Sequence, residues 1–242
     1  MTKPIHRIIV IFSLFLLVNI SALAKKDISF QKEMIVDANK ITNLMVDSGS
    51  GTLIIQGSHV NNILVKATIR SDKYSELIDL QQAFENKMTL SLEPTGSNVT
   101  LKAMNKAKLF NFKSPNIHID LEMTVPHEIN ILVDDGSGNI TISDISGEVK
   151  VDDGSGSLLM NNIVGNVFID DGSGSQVLVN IDGDIEIDDG SGSVEIKGVT
   201  GNVKIDDGSG SIKIEDLAGK FKLVDGGSGS IYVNGKKWND KD

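Results

Sequence analysis

One glycine spacing constrains this chain more than any other feature. The DGSG glycines Gly136, Gly154, Gly172, Gly190 and Gly208 are each 18 residues apart, and the next equivalent, Gly227, comes one residue late. A second glycine follows 11 residues after each of the first five, at Gly147, Gly165, Gly183, Gly201 and Gly219. The extra residue therefore falls in "GKFKLVDGG", between Gly219 and Gly227. A fixed period of this length marks stacked units, each too small to bury its own apolar face.

Between the glycines the apolar residues fall in columns. Ile140, Leu158, Val194, Ile212 and Ile231 lie four residues after the first glycine, and Gln176 is the one polar member of that column. Ile142, Met160, Leu178, Ile196, Ile214 and Val233 lie six after, and Ile145, Ile163, Ile181, Val199 and Leu217 nine after. Val149, Val167, Ile185, Val203 and Phe221 lie thirteen after, and Val151, Ile169, Ile187, Ile205 and Leu223 fifteen after. Alternation with period 2 marks strands with one buried face. Most of these residues are β-branched, which suits strands. The pattern predicts an all-β fold, a parallel β-helix or solenoid with 18-residue coils and DDGSG corners. Five to six such coils, at a strand spacing of about 4.8 Å, would make a rod segment roughly 25–30 Å long. An antiparallel meander is the rival, and it has no need of a constant spacing.

In "DDGSGS" the glycines permit positive φ and a tight corner. The second aspartate of each pair can accept hydrogen bonds from backbone N–H groups of its own turn, and the serines can bond the next coil. Like residues stack in a solenoid, so two aspartate columns arise. One is Asp134, Asp152, Asp170, Asp188 and Asp206; the other is Asp135, Asp153, Asp171, Asp189 and Asp207. Neighbouring carboxylates about 4.8 Å apart repel by roughly 1 kcal/mol in bulk water, so donors or cations must answer them. Calcium takes oxygen ligands, and a calcium-stabilised extracellular rod is one alternative reading. The motif departs from the calcium-binding nonapeptide, because its aspartates precede the glycines and recur only at every second turn.

Residues 43–55, "NLMVDSGSGTLII", carry the same corner in Asp47-Ser48-Gly49-Ser50-Gly51 and predict an early coil. The strict period then fails. "NNILVKATIR" (61–70), "MTLSLEP" (88–94), "NVTLKAM" (98–104) and "NIHIDLEMTVP" (116–126) alternate as strands. "DKYSELIDLQQAFENK" (72–87) spaces Leu77, Leu80 and Phe84 as a short helix that could cover an open coil end. Residues 25–130 thus read as an irregular N-terminal β portion, 131–235 as regular coils and 236–242 as a polar tail. Trp238, the only tryptophan, is expected to pack at the second open end.

Residues 1–24 read as a secretory signal peptide. Lys3 and Arg7 precede an apolar run from Ile8 to Ile20, and Ala22-Leu23-Ala24 makes a cleavage site. The expected location is the periplasm or the cell exterior, with no integral membrane span after cleavage; a retained anchor is the alternative. The chain has no cysteine, which excludes disulfides and thiolate chemistry. With Lys3 and Arg7 removed, 21 basic residues face 33 acidic ones, a net charge of −12. That balance argues against nucleic acid and anionic lipid, and fits divalent cations or basic partners.

The leading "NLMVDSGSGTLIIQG", the "TVPHEINILVDDGSGNI" segment and tandem coils such as "GNVKIDDGSGSIKI" resemble the bacterial putative-adhesin family. Those are exported or envelope proteins with a β-solenoid fold. The resemblance covers nearly all of the chain after the leader. It implies adhesion or binding, and it supplies no catalytic residues.

The residues themselves point the same way. Of the histidines, His6 lies in the leader, and His59, His118 and His127 share no metal-ligand spacing. The regular coils hold no histidine to activate a serine. One outward column is Thr141, Leu159, Val177, Glu195, Lys213 and Tyr232; another is Lys150, Phe168, Glu186, Lys204 and Lys222. Neither clusters carboxylates as a carbohydrate-active β-helix enzyme, the remaining alternative, would require. No catalytic, cofactor-binding or metal residue is assigned. The expected function is a non-enzymatic adhesion, scaffold or interaction module with a protein or carbohydrate partner. Leu159 and Val177 should stack on adjacent coils and form part of a partner-binding strip, with Phe168 on the other strand run.

Overall fold

A computed structural model describes residues 27–106 and 116–238. The signal peptide expected at 1–24 and the last four residues of the tail lie outside that range. The first elements are β1 (Ile28–Asp37), β2 (Asn43–Ser48), β3 (Gly51–Ser58), β4 (Asn62–Ser71), α1 (Leu77–Lys87), β5 (Met88–Thr95), β6 (Asn98–Asn105) and β7 (His118–Pro126). Short and long strands then alternate: β8 (Asn130–Asp135), β9 (Gly138–Ser146), β10 (Val149–Asp153), β11 (Gly156–Val164), β12 (Val167–Asp171) and β13 (Gly174–Asp182). The alternation continues through β14 (Ile185–Asp189), β15 (Gly192–Val199), β16 (Val203–Asp207) and β17 (Gly210–Leu217). Three brief strands close the series, β18 (Phe221–Leu223), β19 (Ile231–Val233) and β20 (Lys236–Lys237).

These strands make two sheets. The long strands form an 11-stranded sheet in the order β1-β4-β7-β3-β9-β11-β13-β15-β17-β19-β20. The short strands form a 9-stranded sheet in the order β18-β16-β14-β12-β10-β8-β2-β6-β5. Each regular coil gives one strand to each sheet, and successive coils pair in parallel, as Val149↔Val167 and Leu158↔Gln176 show. The chain is a β-solenoid of stacked 18-residue coils. β17 meets β19 one residue further along, with Ile212↔Ile231, which places the inserted residue in the last coil.

The five apolar columns point between the sheets. Ile142, Met160, Ile163, Val167, Leu178 and Ile196 are essentially inaccessible. Fully burying one such side chain contributes about 1.5–3 kcal/mol. Gln176 is also fully buried, on the core side of the column it interrupts.

Glycine is required where coils touch backbone to backbone. Gly156 has φ 153°, and a Cβ there would sit 1.6 Å from the Gly138 carbonyl oxygen. Six positions just after the core residues of the long strands also adopt positive φ: Asp144, Asn162, Asn180, Gly198, Asp216 and Asn234. Asn, Asp and Gly are the residues that tolerate this region.

The N-terminal portion stacks out of chain order. β2 pairs with both β6 and β8, and β3 with both β7 and β9. The DSGSG coil therefore lies between the coil that precedes the regular repeats and the first regular coil. Outside it the direction reverses. β4 runs antiparallel to β7, β1 to β4 and β5 to β6. The helix starts at Leu77, five residues later than the expected 72, and lies against β1 and β5, the two edge strands at that end. Leu80, Ala83 and Phe84 are its buried residues, and Phe84 meets Phe30 edge to face at 5.5 Å. At the other end Trp238 packs on Phe221 at 4.9 Å.

Candidate functional site

The DDGSG repeat places its two aspartates on opposite sides of the wall. Adjacent strand residues point to opposite faces. Asp135, Asp153, Asp171, Asp189 and Asp207 therefore point inward, each no more than 4% exposed. Asp134, Asp152, Asp170 and Asp188 are exposed, and Asp206 is half-buried. Both files are in register, as Asp152↔Asp170 and Asp153↔Asp171 illustrate.

The inward file holds the corners. Oδ1 of Asp153, Asp171 and Asp189 accepts the backbone N–H two residues on, from Ser155, Ser173 and Ser191, at 3.0, 3.0 and 3.1 Å. At the start of the file Ser48 takes the aspartate position, and its hydroxyl donates to Asp135 Oδ1 at 2.6 Å. Gln176 explains itself here, because its side-chain amide donates to Asp171 Oδ2 at 3.2 Å. Asp135, Asp153 and Asp189 each keep one buried oxygen without a partner among the described residues, and Asp207 keeps both. The serine ladder expected across coils does not run through the regular repeats among the described residues. Only at the first junction do serines reach over, Ser48 to Asp135 and Ser137 to the Gly49 carbonyl at 3.4 Å. Backbone amides do that work instead, as in Gly154 N–H to Asp135 O at 2.9 Å.

Burial first, and then the stacked neighbouring carboxylates, push the Asp153 and Asp189 carboxyls up to about 6. Asp135, Asp171 and Asp207 move in the same direction, with burial as the leading cause. A carboxyl raised in this way keeps its proton into mildly acidic solution, which eases repulsion inside the stack.

The outward file lies along a groove of about 540 Å³ on the outer face of the short-strand sheet. Phe168, Leu132 and Val224 supply its apolar surface, with Lys150, Glu186, Lys204 and Lys222 in the adjoining column. Three of these charges are already engaged: Lys150 with Glu148 at 2.7 Å, and Lys204 and Glu186 with each other at 2.5 Å. The Lys150 ammonium also sits 5.1 Å from the Phe168 ring centre. By contrast, the carboxylates of Asp134, Asp152, Asp170, Asp188 and Asp206 make no hydrogen bond or ion pair among the described residues, although the charges of Asp188 and Asp206 act on the Lys204 ammonium.

Leu159 and Val177 are in register on the long-strand sheet, Leu159 exposed and Val177 half-buried. Phe168 is on the opposite sheet, so the three residues form no common patch. The histidines are only partly separate. His59 and His127 come together with ring centres 4.4 Å apart, a pairing that their separation in sequence hides, while His118 stands elsewhere on β7. No group of three or more His, Cys, Asp or Glu side chains among the described residues is placed to hold a metal ion.

Polar ladders on the outer surface escaped the sequence reading. Asn162 donates to Asp144 at 2.9 Å and Asn180 to Asn162 at 3.1 Å. A second file runs along the turns into the short strands, where Asn166, Asp184 and Asn202 accept from backbone amides one coil on. Their signal was an 18-residue recurrence of Asn and Asp outside the glycine motif.

The fold and its faces define a class: a two-sheet β-solenoid whose polar outer surfaces are built from repeating columns. Residues 41–241 match the Toastrack DUF4097 family model, and the chain belongs to that family. No curated protein matches it. Solved structures similar to it include a "putative adhesin" from Bacteroides fragilis NCTC 9343, 14% identical, covering 86% of this chain and 97% of that one, with a TM-score of 0.44. Another is a "putative cell adhesion protein" from Clostridium sporogenes ATCC 15579, 15% identical, covering 80% and 98%, with a TM-score of 0.32. A third, a "Putative lipid binding protein" from Parabacteroides distasonis ATCC 8503, is 12% identical, covering 84% and 96%, with a TM-score of 0.36.

Proposed function

We propose that this chain is a non-enzymatic adhesion or scaffold module, exported to the periplasm or cell exterior, that binds a protein or carbohydrate partner through an outer face of its stacked sheets. The DDGSG corners are architectural in this reading, and the outward columns are the contact surface. One observation carries it: the groove at Phe168 is an open face of repeating strands, lined by side chains from several successive coils. Such a face can grip an extended partner at many points, and it encloses no small molecule. The names of the similar solved structures, two of which refer to adhesion, agree with the reading.

The test is site-specific photocrosslinking in the cell of origin. A photoreactive residue at position 168 is compared with one at position 122, an exposed site on the other sheet. A discrete crosslinked envelope partner from position 168, absent from 122, is the expected result. Retention of the chain in the cytoplasm, or identical crosslinks from both sites, would overturn the reading. A thermal melt in EDTA and in about 2 mM calcium runs beside it. Bound calcium would raise the midpoint by linkage. The interaction reading expects no calcium-specific shift.

A further inference from the structure

The groove of the short-strand sheet sets two features side by side. One wall is the exposed aspartate file, whose members follow each other at the strand spacing of about 4.8 Å. The other presents Phe168 with its ring half-exposed. Of the groove's three lysines, Lys150 pairs with Glu148 and Lys204 with Glu186, Lys204 also feels the charges of Asp188 and Asp206, and Lys222 lines the groove beyond them. Four of the carboxylates, Asp134, Asp152, Asp170 and Asp188, are exposed, in register and without an ion pair among the described residues. Like charges stacked in register repel, so the file is a standing electrostatic demand on whatever lies in the groove. Beyond Asp134 the file continues to Asp47 and ends at Lys102.

We propose that this groove docks an extended lysine- or arginine-rich segment of a partner protein, its cations set along the aspartate file and the aliphatic stem of one of them against Phe168. The inference rests on the interaction reading above and names the partner's chemistry. Charge complementarity selects the occupant. A basic side chain can answer several carboxylates at once while its aliphatic stem covers apolar surface such as Phe168. An anionic segment meets the file head on. A segment of about six extended residues, at about 3.3 Å each, spans the file from Asp134 to Asp206.

The experiment is fluorescence anisotropy of labelled octa-arginine against exported full-length chain. Octa-glutamate is the opposite-charge control. Three proteins are compared: the parent, a groove variant (Asp152→Asn, Asp170→Asn, Asp188→Asn) and an opposite-face variant (Glu122→Gln, Glu195→Gln, Glu215→Gln). All six changes are at solvent-facing sites, and a melt of each protein confirms folding. Octa-arginine should bind the parent and the opposite-face variant alike, at least ten-fold more weakly to the groove variant, and more weakly as salt rises. Phe168→Ser should weaken it about three-fold or more at unchanged salt dependence. Equal weakening in both triple variants would show attraction to net charge alone and overturn the proposal, as would absent binding or preferential capture of a neutral oligosaccharide. If position 168 still crosslinks a partner while octa-arginine fails, the interaction reading stands and this inference falls.

Discussion

At the residue scale, the corner depends on atoms that are absent. Gly156 has no Cβ, and its φ of 153° lies where only glycine is comfortable. Gly156→Ala should therefore cost at least about 1–3 kcal/mol, measured as a lowered urea midpoint. A matched Ser157→Ala change on the exposed strand start should leave the midpoint within about 0.5 kcal/mol of the parent. Gln176 offers a sharper case, because its effect depends on the charge of its partner. Gln176→Leu restores the apolar column and removes the donor to Asp171 Oδ2. At pH 7.5 the loss should cost about 1–3 kcal/mol. At pH 4 the cost should be smaller, because burial raises the Asp171 carboxyl and acid favours its protonated form. Urea unfolding at both pH values checks this, and an equal cost at both would contradict the role assigned to Gln176.

At the element scale, the ends matter most. A stack of parallel coils leaves unpaired edges, which invite association. α1 covers β1 and β5, with Leu80 and Phe84 buried against them. Phe84→Ala should cost about 3–5 kcal/mol, and size-exclusion chromatography should show self-association as the edges open. Full stability and a monomer elution volume would show that the helix is an ornament on an end closed by other means. This region also marks the boundary of what the sequence reveals. The regular coils were legible because each column repeats five or six times, so a single polar break such as Gln176 stands out without obscuring the face. The out-of-order placement of β2–β3 was not legible, because Asn43 bonds Asn98 and Asn130 from 55 and 87 residues away. Local alternation gives strands but not partners. The same limit hid the His59–His127 contact. It also hid the groove, which arises from the cross-section of the coil and leaves no trace in spacing. The turn-capping role of the second aspartate was legible in the motif, and the Ser155, Ser173 and Ser191 amides fulfil it; its burial was within reach, since alternation alone separates adjacent residues, and was missed.

At the scale of the whole molecule, the chain is a quasi-one-dimensional stack in which each coil contacts its neighbours. Removing one full coil, residues 174–191, should leave a folded protein with β-type circular dichroism and a lower midpoint. Removing nine residues, 174–182, should abolish cooperative unfolding, because the remaining coils would face each other out of register. The inward aspartates add a pH dependence of unusual sign. Their carboxyls are raised in the folded state, Asp153 and Asp189 to about 6 from an ordinary value near 3.8. Between those values the folded chain holds more protons than the unfolded one, so stability falls as pH rises from about 4 to 6. Asp120 runs the other way: burial raises its carboxyl, but hydrogen bonds from Arg70 and the Thr52 amide outweigh that and hold it low. The most direct test of in-register stacking is a side-chain carboxyl carbon-13 NMR titration of the folded chain, with Asp153→Asn and Asp189→Asn used to assign the signals. The account expects the Asp153 and Asp189 signals to titrate near pH 6. Completion of both titrations by about pH 4.5 would place these carboxylates in water and contradict a solenoid with one aspartate of every DDGSG turned into its core.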